Sequence, residues 1–385
     1  MRIAYLTDET FPNRNASGLQ IVQTLSALHR AGAAVDMVFP AKPGDRRGVA
    51  GWRDTLEDHF HVPCPFGLVP LPTWLGGRRP PIKVAHGVLG TGHALRGGYD
   101  LIYTRTVAPI APALAARRWV LFETYRPLTR QFGWSRRPFV RVGHHPRFVG
   151  IVTHSKLARQ AFVEDGLPED RVRTVYNGFD PAAFAERRTP SEARALLGLP
   201  ERPTVVYTGR IAPVKSTDLL LDAAARTPEA HWVLAGADDT EEARPYVERA
   251  RAMPNVTCTG YLTGPQLVQV LQAGDVLVVP PSAAPLQRFG TTVLPIKVFT
   301  YLAAHRAIVA GDLPDAGELL THERNSLLVR PDDVEALAGA VRRLVVEPAL
   351  RDRLATAAAA TSEALTWPAR AERILDFIQG RTGLR

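Results

Sequence analysis

An apolar run, Thr204-Val-Val-Tyr-Thr, ends at Gly209 and is followed by Arg210 and, five residues later, by Lys215. The run reads as a buried strand, and residues 219–225 as part of the next helix, with Ser216 or Thr217 able to cap it. Two cations at a strand's carboxyl end beside a helix start suit a diphosphate, because unpaired backbone N–H groups converge there. The same residues also fit a solvated loop carrying ordinary basic side chains. A second window, Phe289-Gly-Thr-Thr-Val-Leu-Pro-Ile-Lys-Val-Phe-Thr-Tyr-Leu-Ala-Ala, predicts a loop between Gly290 and Pro295 and a helix from about Ile296. Lys297 falls in the first turn, where a cation is disfavoured, and a bound anion would remove that conflict.

These windows need a scaffold, and the rest of the chain supplies one by alternation. Strands are predicted near residues 2–7, 35–39, 100–104, 119–122 and 150–153, with a helix of 3.6-residue apolar spacing over 19–31. The pattern restarts after Pro200, with strands near 204–208, 232–235, 256–259, 276–279, 307–310 and 326–329. Such alternation predicts parallel sheets covered by helices on both faces. The two α/β units join near residues 177–200, where Asn177-Gly178, Pro181, Pro190 and Pro200 read as linker punctuation. A last helix over about 368–378 follows Thr366-Trp367-Pro368. Residues 40–98, rich in Pro and Gly, carry no assignable elements.

Composition narrows the class. At 385 residues, with 45% hydrophobic and 22% charged, the chain suits two globular domains rather than a disordered polymer. Its first residues read as a strand, not a targeting leader, and no stretch reaches the roughly 18 apolar residues of a membrane span. Cys64 and Cys258 lie far apart, so they read as reduced thiols of a cytoplasmic protein. His59, His61, His86, His93, His144 and His145 form no metal-binding motif, and no metal or cofactor is expected. The net charge of +9 favours anionic partners, although Arg-rich codon usage explains it equally well.

Taken together, the windows resemble the retaining GT-B glycosyltransferases of family 4. The resemblance rests on Val175-Tyr-Asn-Gly-Phe-Asp-Pro at the joint, Gly209-Arg210…Lys215, Val233-Leu-Ala-Gly236 and Val256-Thr-Cys-Thr-Gly260-Tyr-Leu. It continues through Ala273-Gly-Asp275, Pro295-Ile-Lys-Val-Phe and Glu318…Asn325-Ser-Leu-Leu-Val, with Ser17-Gly18-Leu-Gln near the start. It implies two Rossmann-like domains facing each other across a cleft: 1–178 for the acceptor, 179–365 for the nucleotide-sugar donor, and 366–385 packing back on the first. It also implies metal-independent sugar transfer with retention of configuration. Arg210 and Lys215 would hold the donor diphosphate, with Gly209 and Gly236 at the strand ends. Gly18 would let the first loop approach the donor, and backbone at Tyr261 and Leu262 would lie near the base. Pro295, Ile296 and Lys297 would present N–H groups and charge.

The chain departs from that pattern at identifiable places. Thr292 and Thr300 stand where the family carries two glutamates, the second of which binds ribose hydroxyls, and His305 replaces a usual glycine. Tyr125 takes the place of a histidine near the reacting sugar. Glu123 either orients a substrate or pairs with a nearby arginine. These departures motivate an alternative, a non-catalytic relative that binds a sugar nucleotide or partners an active enzyme; an epimerase would need cleft acids and histidines that are not identified. Residues 126–148 are basic and aromatic and fit a peripheral contact with the inner membrane face, beside a lipid-linked acceptor, or equally a solvated face or a channel for an acidic acceptor. No nucleic-acid reader motif is present.

Overall fold

The computed structural model describes residues 1–42, 44–72, 80–236, 238–284, 286 and 293–384, with backbone alone at 80–82. Two compact units divide the chain: Met1–Asn177 with Trp367–Arg385, and Gly178–Thr366.

The first unit holds a seven-stranded sheet of order β3-β2-β1-β4-β5-β6-β7. Its strands are β1 Arg2–Leu6, β2 Ala34–Ala41, β3 Gly67–Pro72, β4 Leu101–Thr104, β5 Trp119–Thr124, β6 Phe148–Thr153 and β7 Val172–Thr174. Every pairing is parallel. The helices are α1 Ala16–Arg30, α2 Val49–Phe60, α3 Pro80–Arg96, α4 Ile110–Ala115, α5 Leu128–Gln131, α6 Arg136–Gly143 and α7 Lys156–Glu164. The central strands are buried on both faces, which is why they read as continuous apolar runs rather than alternating ones.

The second unit holds a six-stranded parallel sheet of order β10-β9-β8-β11-β12-β13. Here β8 is Thr204–Thr208, β9 His231–Ala235, β10 Val256–Gly260, β11 Val276–Val278, β12 Ala307–Gly311 and β13 Leu327–Val329. Its helices are α8 Pro190–Leu197, α9 Thr217–Arg226, α10 Arg244–Arg251, α11 Gly264–Ala273, α12 Lys297–Ala303, α13 Val334–Val346 and α14 Pro348–Ser362. Leu220, Trp232, Val276, Val309 and Val341 are fully buried in one core on this sheet. The closing helix, α15 Trp367–Thr382, belongs to the first unit.

Two stretches differ from the sequence expectation. Residues 40–98 contain α2, β3 and α3. Trp52, Leu56 and Phe60 of α2 are buried at helical spacing, a signal diluted by the surrounding Pro and Gly. The prolines near 181–200 are not free linker: Pro181 opens a 3-10 turn and Pro190 is the first residue of α8. Thr189 caps α8 in a reciprocal box with Glu192, each accepting the other's backbone N–H.

In both sheets the strand order reverses once, between β1 and β4 and between β8 and β11. Outside the carboxyl ends at such a reversal the flanking loops diverge and leave a crevice, the usual ligand position in open parallel sheets.

Candidate functional site

Gly209 sits at the carboxyl end of β8, beside the reversal in the second sheet. Its φ of +138° lies outside the range of ordinary side chains. A β-carbon there would also come within 2.8 Å of the Lys297 Nζ. Gly236, following β9, packs directly on it: a β-carbon on Gly236 would fall 1.9 Å from the Gly209 carbonyl oxygen. Two glycines therefore let β8 and β9 end side by side and leave room for the Lys297 ammonium.

That ammonium lies 3.9 Å from the centre of the Tyr207 ring, a cation–π contact. Burial, and next the charge of Lys215, hold Lys297 well below the usual lysine range. Two lysines thus share one strand end. Tyr207 donates its hydroxyl to the Arg210 carbonyl at 2.9 Å, fixing the loop's first turn. The Arg210 and Lys215 side chains are exposed. Tyr301, buried in α12, takes up the other loose end: its hydroxyl accepts the Thr208 N–H at 2.8 Å.

Neither predicted cap caps α9. Ser216 adopts φ +54° and makes no side-chain cap bond. Thr217 instead turns back to Ala212, donating to its carbonyl at 2.9 Å and accepting its N–H at 3.0 Å. The closed 212–217 turn holds Lys215 at its tip.

Pro295 and Ile296 precede α12, whose first turn contains Lys297. Thr300 donates to the Lys297 carbonyl at 3.0 Å, so its hydroxyl proton is spent inside the helix. Thr292 lies outside the described residues. His305, in the family's glycine place, adopts φ +56°, a left-handed conformation suited to glycine. Half-buried Tyr261 and Leu262 follow β10 directly.

In the first unit, Gly18 lies in the first turn of α1, where a β-carbon would meet the Asn13 Oδ1 at 2.7 Å. The loop after β1 therefore lies close against α1, and the Ser17 hydroxyl ties the two by donating to Glu9 at 2.7 Å.

Glu123, in β5, is enclosed by polar partners. It is 0% exposed, and its carboxylate accepts from His154 at 2.6 Å, Gln20 at 2.7 Å and Arg370 at 2.9 Å, and from the Tyr103 hydroxyl. The arginine partner stands 247 positions away, in α15. Arg370 also donates to the Val175 carbonyl at 2.7 Å and the Tyr176 carbonyl at 3.0 Å. Burial would raise the Glu123 carboxyl, but Arg370, His154 and Arg105 outweigh it and hold the group below the usual carboxylate range. Burial pushes His154 down to about 4, against the pull of Glu123, so its ring is neutral near pH 7. Glu123 is the hub of a buried network that includes the Arg370 guanidinium. Sequence reasoning missed Arg370, since nothing local marks one arginine of a terminal helix as buried.

At the carboxyl end of β5 lies a smaller cluster. Tyr125, after β5, has the Arg126 guanidinium 5.0 Å and the Arg105 guanidinium 6.0 Å from its ring centre, with the His154 ring at 6.4 Å. Cys64 and Cys258 are free and lie in different units. Among the described residues no helix is long and apolar enough to cross a membrane.

Comparison with known proteins agrees with this architecture. Residues 18–183 match the family described as Glycosyltransferase Family 4, and 202–347 match Glycosyl transferases group 1. The chain is 31% identical over 203 residues to the alpha-D-kanosaminyltransferase of Streptomyces kanamyceticus, spanning 50% of each. It is 30% identical over 311 residues to a GDP-mannose-dependent alpha-(1-6)-phosphatidylinositol monomannoside mannosyltransferase of Mycobacterium tuberculosis, covering 72% of this chain and 74% of that one. The chain spans about half the length of the first of these relatives. Among solved structures, Anabaena HepE in complex with UDP-glucose superposes with a TM-score of 0.74 at 19% identity, over 99% of this chain and 100% of the other. Because both halves match in order and one relative aligns over most of its length, the chain belongs to the group 1, family 4 glycosyltransferases and has their GT-B fold.

Proposed function

We propose that the chain transfers a glycosyl residue from a nucleotide-sugar donor to an acceptor hydroxyl, with retention of configuration and without a metal ion. The observation that carries this is the β8 carboxyl end, where the Lys297 ammonium feels the charge of Lys215 and packs beside Gly209, with Gly236 against it. Two cations whose charges oppose each other gain most from a ligand bearing at least two negative charges, as a diphosphate does. In this reading the second unit holds the donor and the first unit holds the acceptor. The bond between the anomeric carbon and the diphosphate oxygen breaks, and the acceptor oxygen bonds to the same face. The acceptor's proton passes to the departing diphosphate. Arg210, Lys215 and Lys297 stabilise the leaving charge, the role a metal ion takes elsewhere.

Removing one donor to a developing charge lowers turnover by roughly 10²–10³-fold. Arg210→Ala and Lys215→Ala are each expected to lose that much transfer while keeping the parent circular dichroism and melting temperature. Near-normal turnover in both would sink the assignment. A second reading, donor binding without transfer, draws on Thr300, which bonds its own helix where the family has a carboxylate. Nucleoside diphosphates and their sugar conjugates tested by thermal shift, followed by release of free nucleotide in the presence of acceptors, separate the two. A shift lost in Lys215→Ala, with no release under any acceptor, favours the second.

A further inference from the structure

The most exposed large apolar side chain among the described residues is Trp134, at 78%, and it does not stand alone. Phe132, 45% exposed, has its ring centre 6.3 Å away. The pair projects from the short turn between α5 and α6, just after the carboxyl end of β5. From 126 to 147 the chain carries six arginines and no Asp or Glu. Arg130 and Arg136 reach Glu164 or Asp165, but among the described residues no carboxylate lies in ion-pair range of Arg137 or Arg141. Arg136, Arg137, Val140, Arg141 and Asp165 line a shallow recess beside the aromatic tip.

We propose that this tip is a docking surface for an anionic lipid bilayer, with Trp134 and Phe132 entering the headgroup region and Arg137 and Arg141 holding lipid phosphates. Charge and shape both select this occupant. A second copy of the chain would face these arginines with its own. Indole and phenyl rings beside guanidinium groups match the interfacial layer, which offers apolar depth and negative charge together. The donor reading is not needed for this surface, which lies wholly in the first unit. If both hold, the acceptor is one displayed on a membrane.

Flotation of the full chain with phosphatidylcholine vesicles, with and without phosphatidylglycerol, tests the proposal. Binding is expected only with phosphatidylglycerol, and is expected to weaken as salt rises. Arg137→Gln combined with Arg141→Gln should lower the partition coefficient roughly 30-fold. Trp134→Ser should weaken binding further, whereas Trp134→Phe should still bind but lose the parent's blue shift in tryptophan emission. The nucleotide-induced melting shift should be unchanged in all these variants, which separates failure here from failure of the donor site. The proposal is overturned by no flotation of the parent at low salt, by parent-like flotation of the double-arginine variant, or by retention on immobilised polyglutamate without vesicle binding. A dimer dispersed by Trp134→Ser in sedimentation would overturn it too.

Discussion

Lys297 carries a structural cost beside the binding role proposed for it. The folded chain holds its ammonium over Tyr207, away from water and near Lys215, so its pKa is depressed. The unfolded chain therefore binds a proton that the folded chain releases, across the range from the depressed value up to the ordinary lysine value. Stability must rise with pH through that range and level off on either side of it. Lys297→Met, which keeps the volume and drops the charge, is expected to raise the urea midpoint at pH 7 and flatten its rise toward alkaline pH. The same variant should lose nucleotide-induced stabilisation, because the anion has lost a partner. A lower midpoint at pH 7 would show that the ammonium is already paired. At Gly236 the constraint is steric. A β-carbon 1.9 Å from the Gly209 carbonyl oxygen forces the two strand ends apart. Gly236→Ala should cost about 1–3 kcal/mol in urea denaturation, with nucleotide affinity falling alongside. An unchanged midpoint would mean that the strand ends part freely.

At the scale of elements, α15 is fastened to the first sheet by one buried arginine. Arg370 is 1% exposed and bonds Glu123, Thr24 and two carbonyls of the segment after β7. Removing the cation alone leaves a buried carboxylate with less compensation, so Arg370→Met should destabilise the chain by about 3–5 kcal/mol. Adding Glu123→Gln to that variant should recover part of the loss, since the uncompensated charge is then gone. The check is a double-mutant cycle by chemical denaturation, with strict additivity as the contrary result. Such a cycle also separates the two readings of Glu123: a residue serving the fold changes stability first.

Across the whole molecule the two units should answer to different solution variables. In the first, His154 titrates at about 4 in the folded chain against an ordinary 6.5, so the unfolded chain binds more protons between those values. Stability falls as pH drops through that window, and the depressed Glu123 carboxyl extends the fall below the usual carboxylate range. The second unit should respond to nucleotide, by about 2.7 kcal/mol when ligand is present at 100 times its dissociation constant. Hydrogen exchange on the full chain can read both. Acid is expected to deprotect amides of β4, β5 and β6 first, and nucleotide to protect those of β8, β9 and α12. Protection by nucleotide confined to the first unit would contradict the donor assignment.

Much of this was legible from residue order alone. The apolar runs at 204–208 and 276–279 are strands because both their faces are buried, and that leaves a continuous hydrophobic signature. Gly209, Arg210 and Lys215 were recognisable because a strand end, a turn and a helix start follow one another locally. Strand order was not legible. It depends on which strands pair across long separations, such as Val276 beside Val205, and pairing of that kind has no local sequence mark. The packing of Gly236 on Gly209, of Lys297 on Tyr207 and of Arg370 on Glu123 is decided in the same way. The sequence by itself marked Gly209, Arg210 and Lys215 as candidates for an anion site. Only the tertiary structure decided that Lys297 joins them at one strand end, and that Glu123 is closed off by a helix from the far end of the chain. Burial and charge pairing are properties of the space around a side chain, and distant segments fill that space only once the chain has folded.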